Sequence, residues 1–373
     1  MVQLGDVIEL NPRESMIKGT VARKIAMDDL KEFCRDISSF SYTEYKGGTK
    51  FRNYDVLLAR ITPCLENGKT ALVDILERNE IAFGSTEFFV LRPKRDLIDP
   101  YYLYYLATTD NFRNTVIKSM TGTSGRQRAD KNAVLSFEFE LPALNKQREI
   151  VRPMKLADDK IRLNNQINAN LVELSNTIFK QILVSNDLHE FTINDIGTVA
   201  GGGTPSKKII SYWNGNIPWL SPKDLSNKPR IFTSSGENYI TQQGLDNSST
   251  KLLPRNTVLF SSRAPIGYLS IAKNRIATNQ GFKSVIPNKQ YPFWFIYELL
   301  KVETPRIINE ANGSTFKEVS GSRLKQHIVY VPKSSDVLRY NSIFISLFQK
   351  MMQSESEIDT LNSLKRALLN KLF

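Results

Sequence analysis

The sequence predicts an α+β fold: two mixed, strand-rich domains joined by two long antiparallel coiled-coil helices, arranged as a pseudo-twofold internal repeat. Three observations lead there. The chain resembles itself at an offset of 190 residues, each copy carries short apolar runs closed by Gly, Pro, Asn or Asp, and each copy ends on apolar positions stepping alternately by four and three.

The offset is clearest where the copies end. "FEFELP" closes at Pro142 and "HIVYVP" at Pro332, and the same 190 residues carry Leu171 onto Leu361, Leu174 onto Leu364, Ile178 onto Leu368 and Ile182 onto Leu372. Upstream the match continues with gaps, as expected where loops differ in length. "VLLAR" (56–60) matches "VLFSSR" (258–263), which sets Arg60 opposite Arg263, and "YYLYYL" (101–106) matches "FWFIYELL" (293–300). The loop "GTSGRQ" from Gly122 matches "GSTFKE" from Gly313. The division that follows is a domain at 1–142, a helical region at 143–186, a second domain at 187–332 and a second helical region at 333–373.

Short apolar runs at Val56–Leu58, Phe88–Leu91, Val258–Phe260 and Ile328–Val331 read as strands. The opening runs "VQLGDVIEL" (2–10) and "FTINDIGTV" (191–199) read the same way. In the helical regions the four-three stripe runs through Ile150, Met154, Ala157, Ile161, Asn164, Asn168, Leu171, Ser175, Ile178 and Ile182, and then through Tyr340, Phe344, Leu347, Met351, Ser354, Ile358, Leu361, Lys365, Leu368 and Leu372. An apolar helical stripe usually packs on its own domain. Five heptads and a length of roughly 60 Å favour arms that pair with each other. Asn164 and Asn168 would form a polar break that fixes register, and Pro153 predicts that the first long helix starts there, with 143–152 as a separate turn.

Composition limits the function. A chain of 373 residues, 41% of them apolar, exceeds one ordinary core, and 50 Lys and Arg against 38 Asp and Glu leave a net charge of +12 spread along its length. That balance favours a folded surface facing a polyanion. Cys34 and Cys64 match no zinc spacing, which fits a reducing compartment. No charged start with an apolar run and no membrane-length apolar stretch is found, so the expectation is a cytoplasmic chain without a membrane partner.

Catalytic signatures are missing. "GGGTPSKK" (201–208) lacks both the Walker and the Rossmann spacing and reads as a turn needing close backbone approach. His189 and His327 have no metal-spaced partner and read as surface or capped histidines. "NPRE" (11–14) lacks the second proline and the aromatic of an adenine methyltransferase motif.

The stretches "GGGTPSKKIISYWNGNIPWLSPKDL" (201–225) and "VLFSSRAPIGYLSIAKNRIATNQGFKSVIP" (258–287) closely resemble the target-recognition domain of type I restriction-modification specificity subunits, and "YDVLLARITPCLENGKTALV" (54–73) resembles a second variety of it. The first domain departs from the pattern in having no GlyGlyGlyThrPro start. The resemblance implies a non-catalytic DNA sequence-specificity subunit. Each domain would read one half of a bipartite double-stranded DNA target, and the domains would be held apart by the conserved central and C-terminal helices. It implies modification subunits that bind S-adenosylmethionine and restriction subunits that use ATP and Mg, with no cofactor on this chain. The alternatives are an orphan DNA-binding scaffold dimerising through its arms, and a nuclease or methyltransferase with an unrecognised site.

For contact with DNA, side chains that neutralise phosphate and those that read base edges are separate classes, Arg suiting guanine and Asn or Gln adenine. The loops "TGTSGRQRADK" (121–131) and "NGSTFKEVSG" (312–321) supply Arg126, Gln127, Arg128 and Lys317. Beside them stand Arg60, Lys69, Arg263 and Lys283, with Lys207 and Lys208 near phosphate. Trp213 and Trp219 are assigned to the core.

Overall fold

The structure is a computed structural model that describes the chain apart from Ser124, Lys228 and residues 312–316. The chain separates into two compact units. One is Met1–Leu163 with Ile358–Phe373, the other Asn164–Glu357.

In the first unit a four-stranded antiparallel sheet runs in the order Ile8–Leu10, Phe88–Pro93, Val56–Ala59, Thr70–Leu72. A second sheet runs Ser41–Glu44, Val21–Ile25, Ala82–Gly84, Thr49–Phe51, its middle pair parallel. The central strands are apolar over 56–59 and 88–91 because both their faces are covered. Val56, Leu58, Phe89 and Leu91 join one core with the helix Pro100–Thr108, whereas Leu57, Phe88 and Val90 join another with Ile25 and Phe51. That helix starts where Asp99 Oδ1 accepts from Tyr101 N and Tyr102 N, with Pro100 pre-set in its first turn.

The second unit repeats the plan. Gly197–Gly201, Lys283–Pro287, Val258–Phe260 and Leu269–Ala272 take the order of the first sheet, with Phe232–Thr233 added in parallel at the edge. Asn238–Ile240, Trp213–Leu220, Ile276–Thr278 and Leu252–Leu253 take the order of the second sheet, again with a parallel middle pair. Val258, Phe260 and Val285 join the core of the helix Phe293–Asn309, and Leu259 turns the other way to Leu220 and Phe282. The expected strands at Val56, Phe88, Val258 and Ile328 are present.

The opening runs differ from expectation. Each is two strands separated by one helical turn, Leu4–Val7 in the first unit and Ile193–Ile196 in the second. The reason is local: Asp6 accepts from Gln3 N at 3.1 Å and Asp195 from Thr192 N at 2.7 Å, capping a turn that an alternating apolar pattern conceals.

The long helices are Leu144–Ser185 and Asn341–Leu372. Pro153 does not begin the first; the helix passes through it. The carbonyl that loses its donor belongs to Glu149, and both residues face solvent, so water can take the missing bond while buried Val151 and Met154 hold the flanks. The separate turn expected at 143–152 is, from Leu144 on, part of the first long helix; a short separate helix stands instead before the second, at Ser334–Arg339, with Tyr340 as the joint.

Every position of both four-three stripes is buried or half-buried, Ile161, Leu171, Ile178, Met351, Leu361 and Leu368 among them. In the first unit, Leu368, Leu369 and Leu372 pack on the core that holds Leu103 and Val134, and Lys365 Nζ lies 2.6 Å from Asp158 Oδ1, whose other oxygen accepts from the Tyr105 hydroxyl. In the second unit, Phe179 and Ile182 enter the core, and Trp294 stacks on Phe344 with centroids 3.9 Å apart while donating to Asn341 Oδ1. Asn164 donates to Glu357 at 2.8 Å, and the equivalent positions Ser175 and Lys365 both hold buried carboxylates, Glu298 and Asp158.

Candidate nucleic-acid interface

In the first unit the strand Val56–Ala59 leads into Arg60, whose N donates to Glu87 O and whose O accepts from Ala129 N. Beside it, Thr121 and Arg128 exchange two backbone hydrogen bonds and Arg126 N donates to Thr123 O, which makes a tight hairpin. Three segments therefore meet: the end of a central strand, the turn Ser85–Glu87, and the hairpin closing at Arg128. The Glu87 carboxylate is held by Arg128 at 2.6 Å and by Arg60 at 3.3 Å, and first Arg128, then Arg60, pull its pKa below the usual carboxylate range against the opposing effect of burial. Arg60 also lies over the Phe89 ring at 5.3 Å. Arg126 is exposed and Gln127 half-buried, its carbonyl taken by Thr62 N.

The second unit builds the same junction. Ser262 N donates to Gly281 O and Val319 N to Ser262 O. These bonds match those of Arg60, Glu87 and Ala129, so Ser262 is the counterpart of Arg60. The expected pairing of Arg60 with Arg263 is thus one residue out: Arg263 bridges Glu318 as Ile61 bridges Arg128. A gap that superposes two arginines cannot survive strand register, where a slip of one turns a side chain to the other face. Here Arg263 reaches Glu318 at 3.0 Å and Lys283 reaches its other oxygen at 3.7 Å. Burial lowers the Lys283 pKa, with Glu318 opposing and Arg263 adding to the fall. Lys317 is exposed beside them, and 312–316 lie outside the described residues; the expected match of "GTSGRQ" to "GSTFKE" is one residue out at its described end, since it sets Gln127 against Glu318 where the paired bridges set Arg128.

Both units match the family model described as the type I restriction modification DNA specificity domain, over residues 1–173 and 186–360. The chain belongs to that family. The type I restriction enzyme MjaIX specificity subunit of Methanocaldococcus jannaschii is 41% identical over 167 residues, which cover 44% of this chain and 38% of that one. The EcoR124I/EcoR124II specificity subunit of Escherichia coli is 32% identical over 173 residues, 44% of this chain and 42% of that one, so the match spans about two-fifths of these two relatives. The HindI specificity subunit of Haemophilus influenzae is 22% identical over 400 residues, 85% of each chain. Among solved structures, the type I restriction-modification S subunit from M. genitalium superposes with a TM-score of 0.61 at 15% identity, covering 100% of this chain and 95% of that one, which shows a shared fold.

Within this specificity family the remaining candidates separate by their surroundings. Gly202 N donates to Phe282 O and Gly203 N to Thr278 O, and a Cβ on Gly202 would meet Asn279 O at 2.0 Å. The glycines thus serve close backbone approach, and their amides are already used. Thr204 hydrogen-bonds Gln280, whose carbonyl accepts from Lys283 at 3.0 Å, so the turn carrying exposed Lys207 and Lys208 is tied to the Lys283 and Glu318 cluster. Trp219 is buried and donates to Gly203 O, and Trp213 packs edge-on against it at 5.2 Å. Lys69 lies beside the strand end, its carbonyl accepting from Ala59 N, but its ammonium donates to Met27 O at 3.0 Å and Asp28 at 3.2 Å, tying down a neighbouring loop.

The sequence reading missed Glu87 and Glu318, the acids around which the cations collect. The signal was present, since the 190-residue offset carries Arg128 onto Glu318, opposite charges at one position. It also misjudged His327, which is buried between two glutamates, with Nε2 3.1 Å from Glu303 and Nδ1 3.0 Å from Glu310. Among the described residues no group of three or more His, Cys, Asp and Glu could hold a metal, and no helix is long and apolar enough to cross a membrane.

Proposed function

We propose that this chain is the DNA-specificity subunit of a type I restriction-modification complex, each unit reading one half of a bipartite, asymmetric target. The observation that carries this reading is the repeated junction: two units of one topology build it on matched backbone hydrogen bonds, and each gathers two cations around a carboxylate from different positions, Arg60 and Arg128 around Glu87 in one and Arg263 and Lys283 around Glu318 in the other. Equal scaffolds with unequal side chains suit two different half-sites, and an Arg beside a Glu offers complementary partners for guanine and for the cytosine amino group. In this reading Arg60, Arg126, Gln127, Arg128 and Arg263 face bases or their flanking phosphates, and Lys207, Lys208, Lys283 and Lys317 neutralise backbone.

The long helices, with polar layers at Asn164, Ser175 and Lys365, act as an antiparallel coiled-coil spacer and as the dock for modification subunits, through which restriction subunits join. Catalysis belongs to those partners: S-adenosylmethionine on the modification subunits, ATP and Mg on the restriction subunits, none on this chain, and the complex works in the cytoplasm. The test is selection of duplexes from a random library by this chain bound to its modification subunits. Two separated short motifs in the recovered duplexes support the reading; a single motif, or no enrichment over bulk sequence, contradicts it.

A further inference from the structure

We propose that a cleft in the first unit seats a backbone phosphate of the bound duplex, beside the Arg60 and Arg128 cluster. The inference rests on the DNA-specificity reading above and adds a site that the sequence motifs did not suggest. The cleft has a volume of about 490 Å³ and is lined by Asn11, Arg13, Ser15, Gly48, Thr49 and Lys50, with the Glu14 carboxylate also on its wall.

Its charge balance is what points to an anion. Glu14 is spent on Arg92 at 2.5 Å and Arg52 at 3.8 Å, and Arg92 in turn closes on Asp55 at 2.6 Å, so those two acids and two arginines cancel. Among the described residues neither the exposed Arg13 nor Lys50 has an ion pair, and the Lys50 ammonium lies over the Tyr45 ring at 5.6 Å. Two cations therefore remain without a carboxylate at one cleft. Asn11 adds a donor: its side-chain oxygen is taken by Val90 N, which leaves the NH2 group for a ligand.

The cleft is joined to the candidate interface by a short chain of contacts. Gly48, at φ +121°, packs so closely that a Cβ would meet Gly84 O at 2.1 Å. The next residue, Thr49, donates to Ser85 O at 2.8 Å, and Ser85 Oγ accepts from Glu87 N at 3.1 Å. Glu87 is the carboxylate that holds Arg60 and Arg128. One turn thus supports both the cleft and the arginine pair, and a duplex lying on the pair would present its backbone to Arg13 and Lys50. Phosphate contacts of this kind set register and carry no sequence information.

The experiment compares the complex of chain and modification subunits with the same complex carrying Arg13→Ala and Lys50→Ala, measuring duplex affinity between about 50 and 200 mM salt. Both side chains lack folded-state ion pairs, so the variant should fold as the parent does; a control removes the exposed Lys251 and Lys289 instead. A log–log salt slope smaller by about 1 to 2 in the cleft variant, with an unchanged target motif and an unchanged control, is the expected result. An equal slope in parent and cleft variant, or an equal fall in the control, overturns the cleft as a phosphate site while leaving the specificity reading intact. A parent complex that binds no duplex overturns the specificity reading, and the inference with it.

Discussion

Arg128 and Glu318 stand at one position of the repeat and carry opposite charges, each closing an ion pair across the same three-segment junction. Arg128→Ala should weaken duplex binding by about 1 to 3 kcal/mol if a base contact is lost and relax the preference at one position in one half of the target. Arg263→Ala should act on the other half. A titration of each variant against duplexes altered in either half checks this, and a loss spread evenly over both halves would contradict it. Arg126 and Arg128 were legible because Arg in a Gly- and Thr-rich loop stands out, and Arg60 and Arg263 because the repeat set them opposite each other; Glu87 was not, because a lone Glu in a sequence gives no hint that two cations converge on it. His327 was misread for the same reason. Burial alone would lower its pKa, but Glu303 and Glu310, themselves paired with Arg306 and Arg323, outweigh burial and raise it above the ordinary 6.5. A raised folded pKa gives stability that is fully present below about 6.5 and lost as pH climbs through the folded value. The parent should therefore melt lower as pH rises from about 6 to 9, and His327→Gln should flatten that slope; parallel melting curves for the two would count against the charged pair.

Among the elements, the helices were the easiest to read and the turns the hardest. A four-three stripe is a long-range regularity, and all of its positions are buried or half-buried. Pro153 was misleading because the cost of a helical proline depends on whether its orphaned carbonyl meets water, which a sequence does not state. The single helical turns at Leu4–Val7 and Ile193–Ile196 were hidden because one capping Asp outweighs an alternating pattern over four residues. The polar layers of the helices have a measurable role. Lys365→Ala leaves the buried Asp158 without its cation, a loss of about 3 kcal/mol for a pair of this burial, and the double variant Lys365→Leu with Asp158→Asn should recover most of it. Trp294→Ala, which removes the ring stacked on Phe344, should cost about 3 to 5 kcal/mol. Urea denaturation of the variants decides both. A Lys365→Ala variant as stable as the parent would show that the layer contributes nothing to stability.

At the scale of the whole molecule, the duplication is the feature that the sequence displayed most openly, and the structure repeats it down to matched hydrogen bonds at Arg60 and Ser262. What stayed hidden was the one-residue register between the copies, since side-chain chemistry had diverged at the very positions used to align them. If the chain reads DNA as proposed, two scaffolds alike in backbone and unlike in side chains should read the halves of the target independently. Replacing residues 1–142 by the corresponding domain of a relative should change one half of the target and leave the other and the spacer as they were. The most direct measurement expresses the chain with its modification subunits and maps methylated adenines across the host genome by single-molecule sequencing. A split, asymmetric motif that disappears when this chain is deleted is the expected result. An assembled complex that leaves no such motif, or a motif that persists without the chain, would contradict the specificity reading.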